Sequence, residues 1–360
     1  MQLLEYFYDR NNEITTYHQR KFTIPSLPKL LIFGAPASGK SSMVLDYLMA
    51  LDSEDFLYID FRDPKFLFRD MMEEDIEGFV EANGIKLVVL DHYEHGYFEH
   101  FPFVEELIVI SDSYYDYGEG FGVLEVPLLD YEEFFSFQKR GGERQIFNLF
   151  LRQGTLPQLA TYSMPKEQLF LNFLKTHFTD SEQRLLAILA HFNGAVVTTF
   201  QIYSYAKERY KISKDLIYKQ IANFQARGVI YFISDVRHPK SKKLLFFDFA
   251  LAKYLSLTQS FPKQFDTMVA LSLLKHQIAF EAFGMMGYLT EDRVLMLPAP
   301  FESEESIWKR AYNRFVEYKK INLKRVYIIT VAARFEFKIE HILFEALPFY
   351  EWVVINDGES

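Results

Sequence analysis

Short, mostly apolar runs recur along the N-terminal third of the chain, and several end at a glycine or a polar residue. They cover 30–33, 56–59, 86–90, 107–110 and 123–126. Between the first two runs, apolar residues recur at helical spacing over 42–51, and an acidic helix is predicted over 71–82. Apolar strands that alternate with helices are typical of a parallel sheet covered on both faces. The pattern therefore predicts an α/β domain.

The middle of the chain has helical periodicity followed by a hairpin pattern. The predicted helices cover 182–191, 199–210 and 214–227. Gly228 stands where the third helix is expected to end. Two apolar strands, 229–233 and 244–247, are joined by the basic turn 237–243. Three helices and a β-hairpin predict a winged helix-turn-helix.

The last third mixes both patterns. Helices are predicted over 265–276 and 305–320, and strands over 294–297, 326–331 and 352–355. We expect a small α/β or α+β domain here.

One segment has a specific chemical meaning. Gly34-Ala35-Pro36-Ala37-Ser38-Gly39-Lys40-Ser41 matches the P-loop pattern G-x-x-x-x-G-K-[ST], after a predicted strand and before a predicted helix. Such a loop turns backbone N–H groups toward a phosphate, and the helix adds its positive N-terminal end. The lysine reaches the β- and γ-phosphates, and the serine hydroxyl ligates Mg²⁺. We predict a site for ATP or ADP with Mg²⁺, formed by Gly34, Ala35, Pro36, Ala37, Ser38, Gly39, Lys40, Ser41 and Ser42.

Hydrolysis needs further polar groups beside the phosphates. Asp91, at the end of a strand, fits the Walker B acid that shares Mg²⁺ with Ser41, although a strand-end aspartate can also simply cap a turn. The base that activates water is left open among His92, Glu94 and no base at all. Ser111 closes the fourth strand, where a polar sensor would contact the γ-phosphate; turn chemistry is the alternative.

Taken in order, these features resemble a family of prokaryotic AAA+ ATPases related to the archaeal-type and STAND ATPases. Its members join a P-loop domain, a winged helix and a domain similar to restriction-endonuclease-like nucleases. The segments that carry the resemblance are 34–41, 87–91, 126–134, 150–160 and 237–251. The resemblance implies a P-loop domain over 1–135, a helical lid over 136–178, a winged helix over 179–258 and a nuclease-like domain over 259–360.

The chain departs from the family's pattern in three places. Pro36 stands where the family commonly has an arginine, and His92 stands where it commonly has a glutamate. The stretch 118–122 lacks the arginine that could serve as an arginine finger. The stretch 294–300 lacks the Glu-x-Lys end of a nuclease triad. Because nuclease chemistry needs carboxylates to hold a metal, we expect the last domain to be inactive as a nuclease.

Charge is distributed unevenly along the chain. The net charge is −10, yet residues 51–135 carry 23 acidic and 4 basic side chains, while residues 181–258 carry 12 basic and 5 acidic ones. A basic middle domain is typical of contact with a polyanion, although the two regions could instead attract each other or a partner subunit. We predict contact with duplex DNA through Lys214, Lys219, Arg227, Lys240, Lys242 and Lys243. The alternative is a lid or oligomerisation module.

Composition narrows the function classes further. The chain has no cysteine, which excludes disulfides, thiolate metal sites and a cysteine nucleophile. The sequence shows no secretory signal and no apolar run near the ~20 residues of a membrane helix, so we expect a cytoplasmic protein.

The favoured function is a nucleotide-driven, DNA-associated switch or motor. The main alternative is a STAND-like scaffold with little hydrolysis that acts through a protein partner or a homo-oligomer; a P-loop kinase fits less well.

Overall fold

The computed structural model describes residues 2–10, 18–67, 71–138, 140–161, 165–258 and 260–357. Contacts divide the chain into two compact units. The first comprises residues 1–128 with 226–228, and the second comprises 129–225 with 229–360. Among the described residues, no helix is both long and apolar enough to cross a membrane.

The first unit is built on a five-stranded parallel sheet in the order β2-β3-β4-β1-β5. The strands are β1 (Lys29–Phe33), β2 (Phe56–Asp60), β3 (Leu87–Asp91), β4 (Glu106–Ser111) and β5 (Gly122–Glu125). The helices are α1 (Gln2–Asp9), α2 (Lys40–Leu48) and α3 (Glu73–Asn83), with a 3₁₀ turn at Pro64–Leu67. The predicted parallel α/β sheet is confirmed.

Both faces of the sheet are covered along its central strands, which explains why β1, β3 and β4 are largely apolar. On one face, Leu31 packs in a cluster with Leu4 of α1 and Ile76 of α3. On the other face, Leu30 and Ile32 pack with Met43, Val44 and Leu48 of α2. Because side chains alternate along a strand, consecutive residues of β1 enter opposite cores.

The second unit begins with helices and a small antiparallel sheet. Its first helices are α4 (Tyr131–Phe137), α5 (Glu143–Gln153), α6 (Pro157–Thr161), α7 (Lys166–His177), α8 (Asp180–His191), α9 (Thr199–Lys207) and α10 (Lys214–Ala226). Strands β6 (Val196–Val197), β7 (Ile230–Ser234) and β8 (Lys242–Phe246) pair in the order β6-β8-β7. Helix α11 (Phe249–Leu255) follows the hairpin.

The rest of the second unit contains a six-stranded mixed sheet in the order β13-β14-β12-β11-β10-β9. The strands are β9 (Phe280–Ala282), β10 (Tyr288–Thr290), β11 (Val294–Pro298), β12 (Arg325–Thr330), β13 (Phe335–Ile339) and β14 (Ile342–Pro348). The helices are α12 (Phe261–Lys275), α13 (Glu304–Asn313), α14 (Phe315–Lys320) and α15 (Phe349–Asp357). Strands β11, β12 and β14 pair in parallel, and the other pairings of this sheet are antiparallel.

Two predicted elements in this region differ from the structure. The strand predicted over 352–355 lies inside α15. Two consecutive residues, Trp352 and Val353, are buried and Val354 is exposed, which differs from the alternation expected along a strand. The helix predicted over 305–320 is interrupted at Arg314, whose φ of −106° and ψ of 7° separate α13 from α14.

A buried carboxylate joins two distant segments of the second unit. Asp248 caps the N-terminus of α11 by accepting from the Leu251 N–H, and its other oxygen accepts from the backbone N–H and the hydroxyl of Thr155, at 2.5 and 2.8 Å. Burial raises the pKa of Asp248, although these hydrogen bonds oppose the rise. Gly154 has no room for a side chain, since a Cβ there would lie 2.4 Å from Asp248 Oδ2. Thr155, within the predicted helical lid, is therefore tied to the segment after the hairpin.

Asp248→Ala is expected to destabilise the protein by about 2–4 kcal/mol, because it removes a helix cap and leaves buried N–H donors without an acceptor. The measurement is the urea midpoint followed by far-ultraviolet circular dichroism. Asp292→Ala, at an exposed turn position, is the control and should change stability by less than about 0.5 kcal/mol. Equal midpoints for the two variants would show that the Asp248 contacts contribute little.

Candidate nucleotide site

The loop between β1 and α2 has the backbone geometry of an anion-binding concavity. Ala37 has φ +58° and Gly39 has φ +93°, while α2 begins at Lys40. Left-handed residues within a turn direct successive N–H groups to one side, and the helix N-terminus adds partial positive charge. The hydroxyl of Ser38 is buried, and it has no hydrogen-bond partner among the described residues. The loop thus offers donors that suit a phosphate.

Two contacts hold the loop from outside. Gly34 has φ +153°, and a Cβ at this position would lie 2.2 Å from the carbonyl oxygen of Val126. The buried guanidinium of Arg20 donates to the carbonyl oxygen of Ser38 and, at 2.9 Å, to that of Pro127. The loop conformation therefore depends on residues far away in sequence.

The Lys40 ammonium lies inside the concavity with its side chain only 6% exposed. It donates to the carbonyl oxygens of Gly34 at 2.8 Å and Ala35 at 3.0 Å, and to Asp112 Oδ1 at 3.0 Å. Burial lowers the pKa of Lys40, while the carboxylate of Asp112 opposes this. An ammonium has three N–H donors, and here three acceptors surround it.

Asp112, the residue after β4, lies close to three positively charged side chains. Besides Lys40, its carboxylate lies 3.3 Å from Arg62 Nη2 and 3.8 Å from Nη2 of Arg227, which belongs to the short segment grouped with the first unit. Burial opposes the charge on Asp112, but Lys40 and the arginines outweigh it and lower the pKa of this carboxyl. No sequence motif indicates Asp112 or Arg62, although each lies within two residues of the end of a strand.

The predicted Walker B residue, Asp91, is fully buried at the end of β3. Its Oδ2 accepts a hydrogen bond from the phenol of Tyr58 on β2, and that phenol also lies near the Ser41 side chain. Burial, reinforced by the charge of Asp91, raises the pKa of Tyr58 well above its usual range. The structure thus brings together the two predicted magnesium ligands, Ser41 and Asp91, through a tyrosine that no sequence motif indicates.

His92 and Glu94, the two candidate bases, lie in different surroundings. His92 has φ +55°, and its Nδ1 lies 2.7 Å from Asp60 Oδ1 at the end of β2. Burial disfavours the charge on Asp60, but the hydrogen bond from His92 and the nearby positive charge of Arg62 lower the pKa of this carboxyl below its ordinary value. Glu94 lies exposed in the turn after β3.

Ser111, the predicted sensor, is buried at the end of β4, where its hydroxyl accepts from the Ser113 N–H at 3.3 Å. In the sheet, β4 separates β1 from β3, so the end of β4 lies between the loop and Asp91. The next residue, Asp112, is the one that contacts Lys40.

The predicted nucleic-acid residues of the second unit do not share one environment. The exposed ones are Lys214, Lys219, Lys240 and Lys242. Lys243 is 1% exposed, and its ammonium lies 2.8 Å from Asp266 and 4.3 Å from the centre of the Tyr288 ring. The prediction that Lys243 contacts nucleic acid is wrong. It is the second residue of β8, and side chains alternate along a strand, so Lys242 faces solvent and Lys243 faces the interior.

No protein-family model matches the sequence, and no curated protein matches it.

Solved structures with a similar arrangement include a Walker-type ATPase of Pyrococcus abyssi, with 15% identity, a TM-score of 0.42, and coverage of 64% of this chain and 91% of that one. A STAND protein with a tetratricopeptide repeat sensor from Pyrococcus horikoshii has 12% identity, a TM-score of 0.28, and coverage of 84% and 53%. The ORC1 protein of Aeropyrum pernix in complex with DNA has 12% identity, a TM-score of 0.29, and coverage of 71% and 90%. TM-scores this low do not establish a common fold.

Gly34→Ala is expected to lower the urea midpoint, because the added Cβ would collide with the Val126 carbonyl and φ +153° is strained for any L side chain. Gly78→Ala is the matched control. Gly78 lies within α3, where a Cβ would meet no neighbouring side chain or backbone within 4 Å, so alanine there should raise stability by about 0.5–1 kcal/mol. A Gly34→Ala protein as stable as wild type would contradict the described loop conformation.

Proposed function

We propose that this chain is an ATP-binding P-loop ATPase of the AAA+ type. The observation that carries the proposal is the concave loop, with the buried Lys40 ammonium at the start of α2. A lysine held among backbone carbonyls at a helix N-terminus suits the β- and γ-phosphates of a nucleotide. The neighbouring Ser38 hydroxyl and the loop N–H groups supply further donors.

Ser41 and Asp91 would hold the magnesium ion that accompanies ATP. They supply a hydroxyl and a carboxylate, the oxygen ligands that Mg²⁺ prefers, and Tyr58 hydrogen-bonds to Asp91 and lies near Ser41. When bound, the ion would neutralise charge on the β- and γ-phosphates. Tyr58 orients Asp91 within this pair.

His92 is our candidate for the base that accepts a proton from the attacking water. If Nδ1 donates its hydrogen to Asp60, Nε2 is left as the acceptor. Asp60 thereby acts as a positioning residue that fixes the ring. Glu94 remains the second candidate, and its exposed position in the turn requires the turn to bend toward the phosphates.

We further propose that the middle of the second unit is a winged helix that contacts duplex DNA. The support is the order of helices and hairpin, with exposed Lys214 and Lys219 on α10 and Lys240 and Lys242 near the hairpin turn. Lysines at such positions neutralise phosphates without reading bases. The protein would then be a nucleotide-driven, DNA-associated switch or motor.

The alternative function is a nucleotide-binding scaffold with little hydrolysis. His92 in the position after Asp91, and the exposure of Glu94, favour it. In that case the protein would bind ATP and act through a protein partner or a homo-oligomer.

Lys40→Ala is expected to weaken ATP binding at least about tenfold, since hydrogen bonds to charged groups contribute about 1.5–3 kcal/mol each. Titration of a fluorescent ATP analogue measures this. Lys86→Ala, which removes a 61% exposed lysine paired with Asp55, is the matched control and should bind like wild type. Steady-state hydrolysis by His92→Ala and Glu94→Ala, with and without duplex DNA, then identifies the base. Binding without turnover in either condition would favour the scaffold.

A double variant, Lys214→Ala with Lys219→Ala, is expected to weaken duplex binding and to reduce the slope of log affinity against log salt by about two, near 0.9 per lost phosphate contact. Fluorescence anisotropy at several salt concentrations measures both quantities. Lys309→Ala with Lys320→Ala removes the same charge from exposed positions on α13 and α14 and serves as the control. No binding by wild type at low salt, or the same loss in both double variants, would rule out the α10 surface.

A further inference from the structure

We propose that Asp112 is an internal counter-anion that competes with the terminal phosphate of a nucleotide for Lys40 and Arg62. This inference rests on the proposed nucleotide binding and adds a step to it. For a phosphate to reach Lys40, the carboxylate of Asp112 must first give up its place there.

The contacts of Lys40 lead to this conclusion. Its three donors are directed at two loop carbonyls and one carboxylate oxygen. The carbonyl oxygens of Gly34 and Ala35 belong to the loop itself, and Gly34 is held against Val126. Asp112 is the one side chain among these three acceptors, and it can leave by rotating its own side-chain bonds.

Asp112 also contacts Arg62, and this contact shows that an anion in the place of the Asp112 carboxylate would meet a second positive charge. Its Oδ2 lies 3.3 Å from Arg62 Nη2, while its Oδ1 contacts Lys40. The backbone N–H of Arg62 donates to Asp60 Oδ1 at 2.9 Å, which holds Arg62 at this edge of the sheet. An anion that replaces Asp112 beside Lys40 therefore comes within reach of the Arg62 guanidinium, which binds phosphate oxygens well.

Charge balance explains why the two anions exclude each other. Lys40 is almost fully buried, and a buried ammonium is costly without a partner. Asp112 supplies that partner when the phosphate is absent. Two like charges a few ångströms apart in a partly buried site repel strongly, so Asp112 and a terminal phosphate cannot both occupy the space beside Lys40.

Asp112→Asn tests the competition directly. The asparagine keeps the shape and loses the charge, so affinity for a fluorescent ATP analogue is expected to rise about fivefold. Inorganic pyrophosphate, as a competing probe, should likewise displace the analogue at lower concentration. Asp116→Asn is the control, because Asp116 lies exposed in the same loop and accepts a local hydrogen bond from the Gly118 N–H; it should leave both affinities unchanged.

A second variant and a stability measurement guard against a folding defect. Arg62→Gln keeps the Lys40–Asp112 pair and is expected to weaken binding of ATP more than binding of ADP. Without nucleotide, Asp112→Asn should have a lower urea midpoint than wild type, and saturating ATP should raise its midpoint more than that of wild type.

Unchanged or weaker ATP affinity in a folded Asp112→Asn protein would overturn the proposal. This includes the result in which affinity is unchanged and only the rate of ATP hydrolysis falls. That last result would instead make Asp112 a sensor of the bound nucleotide. If the wild type binds no nucleotide, the proposed function fails and this inference fails with it. If the wild type binds in a Lys40-dependent manner and Asp112→Asn binds equally, only the inference fails.

Discussion

The burial of the Lys40 ammonium is the constraint on which the rest of the first unit depends. A charge inside a protein must be surrounded by acceptors, and no single segment around Lys40 supplies all of them. The loop gives two carbonyl oxygens, and the residue after β4 gives a carboxylate. The parallel sheet brings these together, because the carboxyl ends of its strands meet at one edge. The arrangement of the sheet and the position of the site therefore both serve to surround the buried Lys40 ammonium with acceptors.

Local sequence predicts the parts of the site that are contiguous. The P-loop is predictable because glycine, lysine and serine occur at fixed spacing between a strand and a helix, and β3 because its apolar run ends at Asp91. The residues that complete the site escape such a prediction because they come from other strands. Tyr58 lies within β2, and Asp60 ends it, yet neither has a sequence pattern that indicates its partner at the end of β3, Asp91 for Tyr58 and the following His92 for Asp60.

Other differences between prediction and structure arise from positions one residue apart. The predicted sensor is Ser111, whereas the next residue, Asp112, contacts Lys40. Lys242 and Lys243 look alike in a basic turn, but only the first faces solvent once β8 begins.

The apolar run 352–355 suits a strand or a buried helix equally well, and sequence periodicity over so few residues cannot separate the two.

Buried polar contacts also constrain how the second unit can respond. Thr155, in the segment predicted as a lid, is joined to Asp248, and Gln264 of α12 donates to the Leu151 carbonyl. Asn193 after α8 donates to Thr267 of α12, and Asp235 at the end of β7 accepts from the Gly284 N–H. Moving any of these segments alone would leave buried groups unpaired, at about 1–3 kcal/mol each. Within the second unit, the segment 143–161, the β6-β8-β7 sheet and the mixed sheet are therefore expected to move as one body.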